Sequence, residues 1–354
     1  MEVLGEETSF EGLREEWHTL LLNSKASSIF LTHEWLAVYW RFFGAGRKLL
    51  VLAARDADDR LVGIAPLCLR MIAPFRLPVL KRAELLGGPF TDVMDLLLSP
   101  GREVEVLRAI LDSLTRQKVD LIDLAEIPES SPTRSALRLL REERGVDLKE
   151  ETMGSLPYAP TRGAWLDYLH DRGTSTQRHY KYYTNRLSKR YRVDFAAHRD
   201  PDAIEREFQP FLDLYRKRFS EYPALISPVY RSFREEIARH ASKNGWMILF
   251  VMRLDEELVA AEWCFRWGGA LLSYNACYDP DRSNEGITTV FQGNIIRFAF
   301  ENGFEEYDFL RGEEGYKAHW SSGKRTHYRL RIRRPTLRLS LLEAGREFLG
   351  RRIG

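Results

Sequence analysis

A chain of 354 residues exceeds what one hydrophobic core ordinarily supports, so two domains are expected. With 44% hydrophobic and 29% charged residues, and no apolar run near the roughly 20 residues of a membrane span, the composition is that of a globular protein rather than a membrane-spanning or disordered one. A net charge of +2 excludes nucleic-acid binding by bulk charge, so DNA is not an expected partner and anion recognition has to come from local patches.

The acidic start "MEVLGEETSFEGLREEW" lacks the basic residues and apolar core of a secretory signal, so a cytoplasmic location is expected. Cys68, Cys264 and Cys277 stand in apolar strand-like runs without metal spacing, which reads as free structural thiols and no metal site. Apolar spacing predicts helices over Phe10 to Leu22 and over Thr32 to Phe43, the second capped by Thr32. "KLLVLAARD" and "RLVGIAPLCLR" form a hairpin across Asp56 to Asp59, and "KRAELLG" and "VMDLLLS" are further strands. A helix, "VEVLRAILDSLTRQ", and a buried strand, "VDLIDLAEI", complete this first set.

After Pro160 the order recurs. Helices at about Asp202 to Glu221 and Pro228 to Lys243 precede the strands "WMILFVMRLD", "ELVAAEWCFRW" and "ALLSYNACYD". A helix over Thr288 to Asn302 then leads into the strand "EEYDFL". Leu61 of the first hairpin matches Leu258 of the second, and Asp123 of "LIDL" matches Asp308 of "YDFL", which points to a duplication. Three segments are expected: an N-terminal domain over 1–160 that is structural, a connecting basic helix region over 161–200, and a second domain over 201–354 that holds the site.

"TQRHYKYYTNRLSKRY", "DFLRGEEGYKAHW", "THEWLAVYW" and "LVGIAPL" give the chain a resemblance to the GNAT acyltransferases of the CelD/BcsL-like group. More distantly it is similar to the Fem-type peptidoglycan-bridge aminoacyltransferases, which also pair two GNAT domains. The resemblance implies an α/β fold of tandem GNAT-like domains, each a mixed, mainly antiparallel sheet flanked by helices. It also implies acyl-CoA or acetyl-CoA as cosubstrate, its pantetheine lying along splayed strands and its pyrophosphate at the start of the following helix. In "DPDRSNEGITTVFQGN" the residues for that role are Arg282, Gly286, Thr288 and Thr289. The usual loop has Arg or Gln, two residues, Gly, one residue, then Gly or Ala; here three residues separate Arg282 from Gly286, and Thr288 closes the motif.

Direct acyl transfer needs a proton acceptor, a group for the thioester carbonyl and a proton for the leaving thiolate. Asp308 and Glu313 are the candidate bases, with Glu262 as a third because an acid inside "LVAAEWCFRW" is costly unless paired or used. Lys317 is a candidate for polarising a carbonyl or holding an anion, and Tyr278 for protonating the thiolate. Arg311, Tyr316 and Trp320 would line the acceptor side. Cys277 has no accompanying His or Asp, so covalent catalysis is disfavoured, and His319 reads as packing. Between Arg172 and Arg192 stand seven Lys or Arg and no acid; Arg178, Tyr182 and Arg186 share one helical face suited to an anionic ligand, with Thr174 to Thr176 as its cap.

From Arg331 onward seven Arg face two Glu, which reads as a final strand and a docked helix, or as peripheral contact with the anionic inner-membrane surface. The leading expectation is an acyl-CoA-dependent N- or O-acyltransferase whose acceptor is an anionic sugar, polysaccharide precursor or amino-lipid of the cell envelope. A Fem-like enzyme using charged tRNA is disfavoured by the missing helical arm. A non-catalytic binding protein built from two degenerate GNAT units is the remaining reading.

Overall fold

The computed structural model describes residues 1–6, 10–72, 80–88, 90–312 and 314–334. The chain divides into two compact units, and residues 326–334 belong with the first unit rather than with the second, where the sequence reading had them; the chain crosses at Gly154/Ser155 and at Arg325/Thr326.

In the first unit, β1 (Glu2–Leu4) precedes α1 (Arg14–Asn23) and α2 (His33–Phe43). Thr32 caps α2 as expected, its hydroxyl accepting the Trp35 N–H at 3.3 Å. Next come β2 (Lys48–Arg55), β3 (Leu61–Ile72), β4 (Leu80–Leu85), β5 (Leu97–Leu98), α3 (Glu103–Arg116), β6 (Leu121–Pro128) and α4 (Pro132–Arg144). β7 (Asp147–Pro160) leads out of this unit.

The second unit holds α5 (Trp165–Asp171), α6 (Gly173–Arg190), β8 (Val193–His198), α7 (Pro201–Arg218) and α8 (Pro228–Lys243). After these come β9 (Met247–Leu254), β10 (Glu257–Trp267), β11 (Ala270–Tyr278), α9 (Ile287–Glu301), β12 (Glu306–Asp308) and α10 (Gly315–Trp320), and β13 (Gly323–Arg333) returns the chain to the first unit.

The two units repeat one topology, which is the tandem GNAT-like α/β arrangement expected from the sequence. In the first, β2, β3 and β4 form an antiparallel meander, α3 crosses over, and β6 pairs parallel to β4. In the second, β9, β10 and β11 form the meander, α9 crosses over, and β12 pairs parallel to β11. The registers make the equivalences explicit. Glu84 pairs with Asp123 and Leu272 with Asp308, so the two aspartates occupy the same position. Cys68 pairs with Glu84 and Phe265 with Leu272, so β3 and β10 align with Leu61 on Leu258.

Just after β12, Leu310 takes left-handed backbone with φ of 53°. Asp308 accepts the Leu310 N–H at 2.8 Å and an Arg325 N–H at 3.2 Å. Asp123 forms an ion pair with Arg329 at 3.3 Å. An acid kept in both copies, buried and tied to an arginine, belongs to the architecture.

Helix α6 packs on α9 through aromatic rings laid on glycines. A Cβ on Gly293 would sit 2.4 Å from the Tyr180 ring, and one on Gly286 would sit 2.1 Å from the Tyr183 ring. Tyr180 also donates to Asn294 Oδ1 at 2.8 Å. The cap expected from Thr174 to Thr176 is not made: α6 begins at Gly173, whose φ is +85°, and Thr176 is buried inside the helix. Among the described residues no helix is long and apolar enough to cross a membrane. The basic segment from Pro335 onward lies outside the described residues.

Two stability predictions follow from this packing. Asp308→Ala removes one partner of a buried ion pair and should cost about 2–4 kcal/mol, with Asp123→Ala similarly harmful in urea denaturation. Gly293→Ala should lower the melting temperature by overpacking against Tyr180, and Tyr180→Leu in the same chain should recover part of the loss.

Candidate active site

Only three residue pairs join β11 to β12, at Ala270–Glu306, Leu271–Tyr307 and Leu272–Asp308. Beyond Leu272, β11 runs on to Tyr278 paired with β10 alone, so among the described residues its other edge carries no strand from Ser273 onward. A β-bulge at Trp263/Cys264 shifts the register where β11 passes Glu262. An open edge beside a bulge in the middle of a sheet is an opening that an extended chain can fill by backbone hydrogen bonds.

At the root of that opening lies a buried polar cluster. Glu262 on β10 is 1% exposed. It accepts hydrogen bonds from the Tyr307 hydroxyl of β12, from Cys264 Sγ at 3.1 Å and from Ser273 of β11. Gln292 of α9 donates to the Tyr307 oxygen at 2.9 Å. Burial pushes the Glu262 carboxyl above its ordinary value, against the opposing pull of Tyr307, Cys264 and Ser273 and of the Lys317 charge. The same burial, with Glu262 as a neighbouring negative charge, drives the Tyr307 and Tyr316 phenols and the Cys264 thiol upward, so all three stay protonated. Tyr316 is 38% exposed, the one of these residues that reaches solvent.

The first unit shows what the fold requires at these positions. By the same registers, Glu262, Cys264, Ser273 and Tyr307 correspond to Ala65, Leu67, Leu85 and Ile122, all buried hydrophobic residues. The architecture therefore closes without polar groups there. A buried carboxylate held by three donors is expensive to assemble and appears in one copy alone.

The other sequence-predicted residues are distributed around this cluster. Lys317 is buried, donates to the Arg311 carbonyl at 2.6 Å and pairs with Glu314 at 2.9 Å, so it braces the loop between β12 and α10. Arg311 contributes that carbonyl and is half-buried. Asp308 is engaged with Arg325 and the Leu310 N–H. Trp320 is core: it stacks on Trp165 at 6.3 Å, meets Tyr180 edge-on, and its carbonyl accepts the Tyr168 hydroxyl. Tyr278 ends the open edge of β11, with the Arg218 guanidinium 4.6 Å over its ring. Glu313 lies outside the described residues. His319 is exposed, and Cys277 is buried against the Phe211 carbonyl with its thiol pushed up by burial.

At the start of α9, Gly286 takes left-handed backbone with φ +79° and serves as the N-cap, while Thr288 and Thr289 sit within the first turn and do not cap it. Arg282 is committed: it pairs with Glu257 and with Glu285 at 3.8 Å, and lies over the Tyr191 ring. On α6, Arg178 and Tyr182 are exposed on the side away from α9, and Arg186 is half-buried at its flank. Tyr307, Gln292, Ser273 and Cys264 were missed by sequence reasoning, although a Gln inside the apolar run "VFQGNII" and the Glu262/Cys264 spacing of two in a strand were readable hints. Among the described residues no group of three or more His, Cys, Asp or Glu could hold a metal. A cavity of about 570 Å³, lined by Arg108, Asp112, Arg144 and Arg333 among others, belongs to the first unit and includes none of these side chains.

Residues 174–318 match the family model described as acetyltransferase (GNAT) domain. The matched stretch lies within the second unit. The match spans α6 to α10 and so contains the polar cluster and the open edge. No curated protein matches the chain. Among solved structures, a conserved protein of unknown function from Bacteroides thetaiotaomicron is similar at TM-score 0.61 and 11% identity, over 94% of this chain and 100% of that one. FemX is similar at TM-score 0.60 and 12% identity, over 92% and 97%. L-PGS from Bacillus licheniformis is similar at TM-score 0.55 and 11% identity, over 94% and 96%. At such identities these likenesses establish a shared fold along nearly the whole chain.

The raised carboxyl has a sign that can be checked. A native state that keeps its proton to higher pH than the unfolded chain loses stability as pH rises from the ordinary carboxylate range through the native value. Glu262→Gln should remove that decline, so in urea denaturation between about pH 4 and 8 the variant should gain on the wild type as pH rises. Parallel curves would show that Glu262 is not perturbed.

Proposed function

We propose that the second unit transfers an acyl group from a phosphopantetheine thioester, with acyl-CoA or acetyl-CoA as the simplest form, to an amine or hydroxyl acceptor. The observation that carries this reading is the Glu262 cluster at the root of the open β11 edge, present in one copy of the duplicated fold and replaced by hydrocarbon in the other. The pantetheine arm would lie along the free edge of β11 as an added strand, with its phosphate end toward Gly286, Thr288 and Thr289 at the start of α9.

The acceptor nitrogen or oxygen attacks the thioester carbonyl carbon; the new C–N or C–O bond forms and the C–S bond breaks. Glu262 takes the acceptor's proton, with Tyr307 and Gln292 holding the carboxylate in place, and the leaving sulfur regains a proton, for which Tyr278 at the end of the edge is the proposed donor. A carboxylate with a raised pKa suits this role at neutral pH better than an ordinary one. Asp308, tied to Arg325, is assigned to holding β12. Lys317 is assigned to positioning the Arg311–Tyr316 loop, which faces the acceptor. The resemblance to the CelD/BcsL-like group supports a cell-envelope sugar, polysaccharide precursor or amino-lipid as that acceptor.

The test is release of free thiol from acetyl-CoA and palmitoyl-CoA in the presence of a panel of hexosamines and amino-lipids. Glu262→Gln and Tyr307→Phe should lower the rate about 10²–10⁴-fold and about tenfold or more respectively, while both variants stay folded. The wild-type rate should rise with pH through the raised Glu262 value. If no thioester releases thiol with any acceptor, and charged tRNA alone stabilises the protein thermally, the aminoacyl-tRNA reading replaces this one.

A further inference from the structure

One surface of the second unit remains unexplained by acyl transfer from free CoA. Helix α6 turns Thr176, Tyr180, Tyr183 and Leu187 inward. At 100° per residue its opposite face carries Arg178, Lys181, Tyr182, Asn185 and Lys189, with Arg186 at the flank. Arg178, Lys181, Tyr182, Asn185 and Lys189 are exposed, Tyr182 to 58%. No acid occurs between Asp171 and Asp194, and none of Arg178, Lys181, Arg186 or Lys189 pairs with a described carboxylate. Elsewhere in this protein, exposed arginines commonly do pair, as Arg192 does with Glu256 and Arg297 with Glu301. Three cations on one solvent face without counterions, with a fourth at its flank, repel one another, and the arrangement is favourable when an anionic surface covers it.

The position of this face narrows the partner. α6 runs antiparallel along α9, with Tyr180 at Gly293 and Tyr183 at Gly286, so its basic face points outward from the helix pair while its C-terminal half lies beside the start of α9. That is where the phosphate end of a pantetheine arm would emerge under the reading above, on which this inference rests. The nucleotide end of free CoA, by contrast, has lost a cation there, because Arg282 is neutralised by Glu257 and Glu285 and packed on Tyr191. A donor that needs its arm seated but no nucleotide recognised, and that brings its own negative surface, is an acyl chain on a carrier protein.

We infer that the exposed face of α6 is the docking surface for an acidic acyl carrier protein, which delivers its phosphopantetheine-bound acyl group past Gly286 to the open edge of β11. The partner contributes an acidic helix to Arg178, Lys181 and Lys189, and its arm supplies the thioester. The chemistry is unchanged: the acyl carbon leaves the arm's sulfur for the acceptor, and the acceptor's proton ends on the freed thiol.

The experiment compares wild-type protein with an Arg178→Glu, Lys181→Glu, Lys189→Glu triple variant by surface plasmon resonance. The probes are a purified bacterial acyl carrier protein in apo, holo and palmitoyl forms, palmitoyl-CoA, bulk tRNA, and vesicles of phosphatidylglycerol. The expected result is that the palmitoyl carrier protein binds at least tenfold more tightly than palmitoyl-CoA, and more tightly than the apo form. Its binding should weaken with salt and fall at least tenfold in the triple variant, whose melting temperature should equal that of the wild type. The inference is overturned if no form of the carrier protein binds, if the triple variant binds it as well as the wild type does, or if tRNA or vesicles alone depend on these three residues. In each of those cases thiol release from palmitoyl-CoA by the wild type would leave the acyltransferase reading standing, so the two ideas fail separately.

Discussion

The second unit depends on the brevity of one strand pairing. β12 joins β11 over three residues and then turns away at Leu310, whose left-handed backbone is held by Asp308. That short pairing sets the Tyr307 hydroxyl against Glu262, and by ending where it does it leaves the rest of β11 with a free edge. A longer parallel ladder would seal the edge, and a shorter one would not hold the tyrosine in place. Site and opening thus arise from the same geometric fact.

Duplication makes the energetics readable. The two units share the meander, the crossover helix, the parallel pair and the buried aspartate tied to an arginine, so these features answer to folding. What differs is the chemistry of four core positions, aliphatic in one unit and polar in the other. A carboxylate in the interior is tolerated only when donors surround it, and here Tyr307, Ser273 and Cys264 do so directly while Gln292 holds the tyrosine. The first unit serves as an internal control that mutation would otherwise have to supply.

The packing of α6 links this interior to the surface. Glycines at 286 and 293 allow the Tyr183 and Tyr180 rings to lie directly on α9, which leaves the cationic face of α6 pointing outward. Arg282 meanwhile is drawn into contacts with Glu257, Glu285 and Tyr191. The unpaired positive charge is therefore carried on the outer face of α6, while the arginine of the loop before α9 is paired.

Periodicity and element order were enough to read the duplicated α/β architecture, the hairpin registers from Leu61 and Leu258, and the equivalence of Asp123 with Asp308, because those depend on local spacing of apolar residues. The cationic run of α6 was equally legible, since absent acids need no structure to be noticed. The assignment of roles was not. In the sequence Asp308 and Glu262 are both acids within strand-like runs; only the folded chain shows that one is paired with Arg325 while the other is buried among neutral donors. Trp320 likewise stood beside charged neighbours in the sequence and proved to be core. The return of residues 326–334 to the first unit could not be read either, because strand partners far apart in sequence are chosen by the completed sheet and leave no local signal. Local propensity decided the elements of this protein, and the long-range pairings decided which of its carboxylates is tied to an arginine and which is buried among neutral donors.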